Sequence, residues 1–562
     1  MNGSQKQPIP KLRVGPDAIA VTILKARLEQ IADEMDAVLV RSAISPVISE
    51  AKDRAHGIYD RSGKTIAQGP GGMPIFIGSM EFAVGQVANR PVRDGDVFIL
   101  NDPYVVGTHL QDVKIIKPVF VGGKLTVFVG STAHWIDIGG RRAGGWTPDA
   151  HQIFEEGLRI PPLRIMTGGQ IVEDVLELIL GNVRMPDAVE ADLKAQIAAL
   201  EVGERRVASI IEEKSRDAFL AGIADIERRS ARLAESTLRS LNDGDYETME
   251  LLDNDGVTDE ELIIRLVLRV KGGRLSFDFT GSSPPCVGPM NVARPTVIAA
   301  CFAAVKHAFP KLPINAGGFS GIDAIVPDDC FLNAEWPRPV GGYTEAAQRI
   351  IDAVLEVLRQ AGAAEVGAGN FSTSCALTLS GHDLQGHYFV ALFNMSGGYG
   401  ASRGADGLSG ANAPMGHAHM IPVEVYEARY PVTFEWFRLR EGSAGAGQWR
   451  GGLGTDYAFR IDAKDAEFSV MGDHVKERVR GVEGGEPSPM TTAVIVTRSG
   501  QEWRPALGAK ASGVRVQQGD IVNLASPGGG GFGPVALRDP ALLERDCRCG
   551  YVQPSSTPES RE

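Results

Sequence analysis

Between Pro16 and Ile44 the apolar residues Ile19, Ile23, Leu24, Leu28, Ile31, Met35, Val38 and Leu39 recur at intervals of three and four. That spacing predicts an amphipathic helix with Pro16 near its start. From Ile58 to Gly130 the pattern changes to short β-like runs, "VFIL", "VKIIKPVF" and "KLTVFVG", separated by turns such as "RDGD" and "VGGK"; a sheet with hairpins is expected. The helical period returns from Ala188 to Leu241, a stretch long enough to predict two helices rather than one. The turn "NDGDY" (242–246) closes this first region. A second opens on strand-like "ELIIRLVLRV" and "RLSFDF" and contains a predicted helix from Thr344 to Ala361, followed by a glycine-rich segment. Beyond about Pro431 short strands and glycine turns run to near Pro534. No repeat at a fixed period is present, which excludes solenoids and propellers. The expected fold is α+β and multi-domain, with mixed sheets and helices and a β-rich, glycine-rich C-terminal part. The expected regions are an N-terminal α/β region 1–245, a middle α/β region 246–430 and a β-rich region 431–562.

A chain of 562 residues exceeds what one core usually serves, in keeping with two or three domains. The net charge of −13 and the lack of a basic stripe argue against nucleic acid or an anionic membrane as partner. The longest uncharged apolar run, "PTVIAACFAAV" (295–305), is too short to span a bilayer, and the N-terminus lacks an apolar stretch behind its positive charges. A cytoplasmic protein is expected. Six cysteines form no framework in so long a chain and are read as reduced, mostly structural thiols.

Glycine accounts for 67 residues, well above the usual share. Neither "GSAGAGQWRGGLG" (442–454) nor "SPGGGGFGP" (526–534) ends in the GK[ST] that places a lysine on phosphates. Tight turns and close backbone approach are the reading that remains, and this chain is not expected to bind ATP by itself.

The chemistry-bearing residues gather elsewhere. In "NDPYVVGTHLQDVKIIKPVF" (101–120) His109 and Asp112 lie three apart, and His134 follows in "STAHWIDIGGRR". Imidazole and carboxylate suit zinc, manganese and iron, and two histidines with one carboxylate leave positions open for water or substrate. A hairpin centred near Gly122 would set residue 109 roughly opposite residue 135, bringing the two histidines together. Structural histidines bonded to backbone are the commoner outcome for such residues. Asp102, Asp137, Arg141 and Arg142 crowd the same hairpin ends, and Glu50 and Asp53 are further candidates. His417 and His419, with Glu424 and Glu427, form a second cluster, whose two-residue spacing in a glycine-rich loop suits a substrate pocket or an interface better than a second metal site.

Seven blocks, "SPVISEAKDR", "LNDPYVVGTHLQDV", "HWIDIGGRR", "IFEEGLRIPPLRI", "NVRMPDAVEADLKAQIAA", "DFTGSSPPCVGPMNV" and "PGGGGFGP", occur in the order and nearly the wording of the hydantoinase B family, over roughly residues 16 to 540. This family includes subunits of N-methylhydantoinases, 5-oxoprolinases and caprolactamase, and the alpha subunits of acetone and acetophenone carboxylases. The resemblance implies a hydantoinase A type partner that binds ATP, in an α2β2 hetero-oligomer. It implies activation of an amide or ketone by phosphorylation at oxygen, completed here near one divalent metal (Zn, Mn or Fe). The implied ligands are His109, Asp112 and His134, with Glu50 completing the set. Asp137 or Asp102 would orient a ligand histidine or accept a proton, and Arg141 and Arg142 would hold a carboxylate or phosphorylated intermediate. The chain departs from the family wording at "FIGSM" (76–80) and "DRAHGIYD" (53–60), which leaves the substrate open. Its length suits ATP-dependent hydrolysis of a small cyclic amide. The alternatives are a ketone carboxylase subunit and a non-catalytic scaffold for the partner.

Overall fold

The computed structural model describes residues 18–416 and 418–552. Helix α1 (Ala18–Ser42) buries Val21, Leu24, Leu28, Ile31, Met35 and Leu39 along one face, while Ile19 and Ile23 are exposed. That face packs on α2 (Pro186–Lys214). The approach is close because Gly203 of α2 has no side chain: a Cβ there would lie 2.6 Å from Met35 Sδ. The expected pair of helices is present, since α2 ends at Ser215 and α3 (Arg216–Leu238) begins. Ser215 breaks the run with φ 71°, and its hydroxyl accepts a hydrogen bond from the Ala218 N–H at 3.4 Å, capping α3.

Beside these helices lies a seven-stranded antiparallel sheet. Its strands are β1 (Arg54–Tyr59), β2 (Thr65–Gln68), β3 (Val97–Leu100), β4 (Asp112–Val121), β5 (Lys124–His134), β6 (Leu163–Thr167) and β7 (Gln170–Ile171), in the order β2-β1-β5-β4-β3-β6-β7. A core of aliphatic side chains from α1, α2 and this sheet fills the space between them. The second sheet contains β8 (Gly244–Leu252), β9 (Leu262–Lys271), β10 (Arg274–Asp278) and β11 (Ile322–Ile325), with β10 and β11 parallel. Against it pack α4 (Arg294–Ala308) and α5 (Tyr343–Gln360).

The remaining strands are β12 (Ala376–His382), β13 (Tyr388–Phe393), β14 (Val432–Leu439), β15 (Thr455–Ile461), β16 (Asp465–Met471), β17 (Ala493–Arg498), β18 (Gln501–Trp503), β19 (Lys510–Gln517) and β20 (Ile521–Ala525). They form two sheets, β13-β12-β16-β19 and β14-β15-β20-β17-β18. The first of these draws strands from both sides of residue 430, so the boundary expected there does not separate one sheet from another. The α+β architecture with several separate sheets is otherwise the expected one.

Helix α5 is buried almost along its whole length, polar residues included. Arg349 is satisfied by Asp352 at 2.9 Å, Asp473 at 3.4 Å and the Ser372 carbonyl at 2.6 Å, and Lys510 reaches Asp473 at 3.0 Å. This buried ion network ties the central helix to the ends of β16 and β19. The glycine runs serve close backbone packing. A Cβ on Gly529 would come within 2.0 Å of the Tyr399 carbonyl, and one on Gly530 within 1.9 Å of the Arg480 carbonyl. Backbone there lies directly on backbone, and any side chain would push the layers apart. Four of the six free cysteines are buried. None of the described helices is long and apolar enough to cross a membrane.

Candidate metal centre

His109 follows a short helical turn (Pro103–Val106) and a tight bend in which Gly107 and Thr108 both have positive φ, 76° and 63°. A β-branched residue seldom adopts this conformation. It is held from three sides: the Thr108 N–H donates to Thr296 Oγ1 at 2.7 Å, and buried Lys114 reaches Thr108 Oγ1 at 2.5 Å and the Gly107 carbonyl at 3.3 Å. Burial lowers the Lys114 amine to about 8, and the neighbouring Asp112 charge opposes that shift. Asp112 begins β4, and its direct cross-strand partner is His134, the last residue of β5. The bend and the hairpin together deliver three side chains to one point.

There His109 Nε2 lies 3.2 Å from His134 Nδ1, and Asp112 Oδ1 lies 3.3 Å from the first and 3.4 Å from the second. All three residues are buried. Among the described residues, these are the His, Cys, Asp and Glu side chains whose ligand atoms fall within 4.8 Å of one another as a group of three. Tyr343, the first residue of α5, donates its hydroxyl proton to the other carboxylate oxygen, Asp112 Oδ2, at 3.2 Å and sets its ring edge-on to His109. Burial alone would raise Asp112, yet the His109 charge and hydrogen bonds from both histidines hold its carboxyl well below the usual range. Asp53 Oδ2 stands 3.9 Å from His134 Nδ1, and the Asp53 carbonyl accepts the His134 backbone N–H at 3.1 Å. Burial, reinforced by the Asp112 charge and opposed by His134, pushes the Asp53 carboxyl up to about 6.

His109 and His134 line a cavity of about 40 Å³, room for about three waters. Trp146 covers the histidines, near-parallel to His134 and edge-on to His109. The rest of the lining includes Thr344, then Ser374 and Ala376 at the start of β12, Leu392, Asn394 and Met395 at the end of β13, and Asn412, Met415 and Ala418.

A sequence profile described as Hydantoinase B/oxoprolinase matches residues 17–535. The chain belongs to this family. It is 31% identical to an uncharacterized protein of Methanocaldococcus jannaschii, over 95% of this chain and 93% of that one. It is 29% identical to caprolactamase subunit beta of Pseudomonas jessenii, over 95% and 94%. It is also 30% identical to 5-oxoprolinase 1 of Arabidopsis thaliana, covering 92% of this chain but only 42% of that longer protein. The crystal structure of ATP-dependent caprolactamase from Pseudomonas jessenii superposes with a TM-score of 0.89 at 28% identity, covering 96% of this chain and 94% of that one. A nucleotide-free acetone carboxylase shares the fold, with a TM-score of 0.87 at 20% identity over 96% and 78%.

In this hydantoinase B family member the other candidate site residues are engaged away from the cavity. Glu50 ends the helical turn Pro46–Ser49 and does not line the cavity; the carboxylate beside His134 is that of Asp53. Asp102 caps the turn before His109, accepting from the Tyr104 N–H at 3.3 Å and pairing with Arg159 at 3.3 Å. Arg141 pairs with Asp149 and, at 3.3 Å, with Glu155 on the surface. Arg142 bridges to Glu467 and Ser512 on the third sheet, both at 3.2 Å. Asp137 is fully buried. Its carboxylate accepts the N–H groups of Gly144 at 3.1 Å and Arg184 at 2.5 Å, so it fixes the loop that carries Trp146 onto the histidines. The physical reason is common to Asp102, Arg141, Arg142 and Asp137: each charge finds a nearer partner in its own loop or on a neighbouring sheet. His151 and His474 also lie outside the cavity lining. In the second histidine loop, Gly416 and Ala418 line the cavity, the His419 N–H donates to the Ala51 carbonyl at 2.8 Å, and His417 lies outside the described residues.

Tyr343, Trp146 and the wall residues were not singled out from the sequence. Their positions depend on contacts across hundreds of residues, and the one local signal was the glycine pair preceding Tyr343.

Proposed function

We propose that this chain is the metal-holding subunit of a two-component, ATP-dependent hydrolase of small cyclic amides. In this reading it works in the cytoplasm beside an ATP-binding hydantoinase A type subunit, in an α2β2 assembly. The observation that carries the proposal is the buried triad of His109, Asp112 and His134 beside a small cavity, in a fold shared with an ATP-dependent caprolactamase.

The residues fit one divalent ion. Three lone-pair atoms 3.2 to 3.4 Å apart have the separations imposed by ligand bonds of about 2.0 to 2.2 Å to a common centre. Two imidazoles and one carboxylate suit zinc, manganese or iron. When bound, the ion supplies positive charge to polarise water or a substrate oxygen.

An amide resists attack because its nitrogen donates into the carbonyl. Phosphorylation at oxygen by the partner would remove that protection and create a leaving group, after which water attacks the ring carbon. In that step the chain's own residues have separable tasks. Asp112 is held in its ionised form and oriented by the Tyr343 hydroxyl. Trp146, stacked near the histidines, and the lining residues Met73, Leu392, Met395 and Met415 limit the water beside the triad. Asp53 lines the cavity with its Oδ2 3.9 Å from His134 Nδ1 and in this reading takes the proton of the attacking water.

The test is ring opening and ADP release by this chain, alone and with the ATP-binding partner, on hydantoin, 5-oxoproline and caprolactam. Ring opening that requires the partner and ATP, without bicarbonate, is the expected result. Turnover confined to a ketone with bicarbonate would reassign the chain to the carboxylases.

A further inference from the structure

Two polar residues of the block "NVRMPDAVEADLKAQIAA" (182–199), Asp192 and Gln196, are fully buried on α2 and line no part of the triad's cavity. Four residues apart, they share one face of the helix. Gln196 accepts the indole N–H of Trp135 at 2.9 Å, and its amide donates to the Val113 carbonyl at 3.2 Å and to Ser131 Oγ at 3.3 Å. An indole N–H only donates and a peptide carbonyl only accepts, so these contacts fix which end of the amide faces which strand. Asp192 takes the backbone N–H of Ile44 at 2.9 Å and of Ser45 at 3.3 Å, together with the Ser45 hydroxyl.

The residues so held are chain neighbours of the site. Val113 follows Asp112 on β4, and Trp135 follows His134 at the end of β5. Because side chains alternate across a sheet, Val113 and Trp135 join the core under α2, while Asp112 and His134 turn to the face that carries Tyr343 and Trp146. One amide thus bridges the two strands directly behind the cross-strand pair Asp112 and His134. Ser45, held by Asp192, precedes the helical turn Pro46–Ser49, whose Val47 carbonyl accepts the Asp53 N–H at 3.0 Å. One face of α2 therefore fixes the backbone behind Asp112, His134 and Asp53. Ligand atoms 3.2 to 3.4 Å apart leave little room for strand movement, since metal–ligand bonds hold to within about 0.2 Å. An aliphatic side chain of the same size would fill the core as well; the satisfied amide adds a fixed geometry.

We infer that Gln196 is a positioning residue of the metal centre, setting the separation of Asp112 and His134 from the opposite face of the sheet. This rests on the metal-holding reading above and assigns a task to a residue outside the triad.

The experiment loads the whole chain with cobalt(II) alone, which takes the same nitrogen and oxygen ligands and has visible absorption bands that follow coordination geometry. Dissociation constant, spectrum and thermal midpoint are recorded for wild type, Gln196→Met, Trp135→Phe and Leu200→Ala. Gln196→Met keeps the length of the side chain and removes both hydrogen-bonding ends. It should weaken cobalt binding by about tenfold, the low end for supports behind metal ligands, and shift the bands. Trp135→Phe, which removes the indole N–H, should shift the bands in the same direction and decides the matter should Gln196→Met fail to fold. Leu200→Ala, buried in the same core one turn further along α2, should lower the thermal midpoint and leave affinity and spectrum as in wild type. Affinity within about twofold of wild type with an unchanged spectrum in both Gln196→Met and Trp135→Phe overturns the inference. So does an equal change in Leu200→Ala, which would make the effect a general loosening of α2. Either result leaves the metal centre in place. A wild-type chain that binds no cobalt removes the metal centre, and this inference with it.

Discussion

Replacing Tyr343 with Phe removes one oxygen and leaves the ring that packs against His109. The lost hydroxyl is the donor to Asp112 Oδ2 at 3.2 Å, in a site where the carboxylate is 1% exposed and water cannot substitute freely. A hydrogen bond to a charged group contributes about 1.5 to 3 kcal/mol. If the whole of it acts on the ionised, ligand-ready carboxylate, metal affinity falls by roughly 10- to 150-fold at 1.4 kcal/mol per decade. That range overlaps the 10- to 100-fold typical of partners behind a metal ligand. The assay is competition with a chelator of known affinity, followed by metal quantification in wild type and Tyr343→Phe, with circular dichroism to show that both are folded. An affinity within about twofold of wild type would show that the Tyr343 hydroxyl does not prepare Asp112, and the positioning argument would be wrong.

Arg141→Ala should leave kcat, KM and metal content unchanged, because its partners Asp149 and Glu155 are surface acids; altered kinetics would restore it as a substrate contact. Asp137→Ala strands the Gly144 and Arg184 N–H groups and should lower unfolding free energy by about 2 to 3 kcal/mol in denaturant titration. It should also reduce turnover through the Trp146 loop. His474 is buried, and burial and the nearby Arg349 charge lower its imidazole to about 3. Below the unfolded value of about 6.5 the unfolded chain therefore binds a proton that the folded chain refuses, and stability falls as pH drops from 6.5 toward 3. At pH 5 this amounts to about 2 kcal/mol. His474→Asn, which tolerates the φ of 61° at this position, should flatten that part of the stability profile; an unchanged slope would assign the acid sensitivity elsewhere.

The long helices and the β4–β5 hairpin were legible because hydrophobic periodicity encodes burial directly. The predicted start of the first helix at Pro16 falls outside the described residues; its end differs by two residues from the observed Ser42, and the predicted Thr344–Ala361 helix is offset by one residue at each end. The pairing within the hairpin was less legible. A turn centred on Gly122 sets residue 109 opposite 135, whereas Val121 pairs with Lys124 and a bulge between Val119 and Phe120 moves the register until Asp112 faces His134. His109 then arrives through the Thr108 bend rather than along the strand. Alternation of apolar residues carries no trace of such a bulge.

Charge near strand ends was a poor guide to the site. Asp102, Asp137, Arg141 and Arg142 each satisfy a local or inter-sheet partner, and sequence cannot separate those from groups that face a cavity. The choice between Glu50 and Asp53 depends on three residues of chain: the first closes a helical turn, and the second sits at the entry to β1, next to His134. The lining contributed by Tyr343, Ser374, Asn394 and Met415 assembles over long range and left no local pattern to read.

The most direct test of the central claim is to strip the complete two-component enzyme of metal, restore metal stepwise, and follow ATP-dependent ring opening and bound metal per chain together in wild type and His109→Ala. The account predicts that activity rises in proportion to metal and saturates at one ion per chain, while the folded His109→Ala chain gains neither. Full ring opening by metal-free wild type, or by the alanine variant, would contradict it.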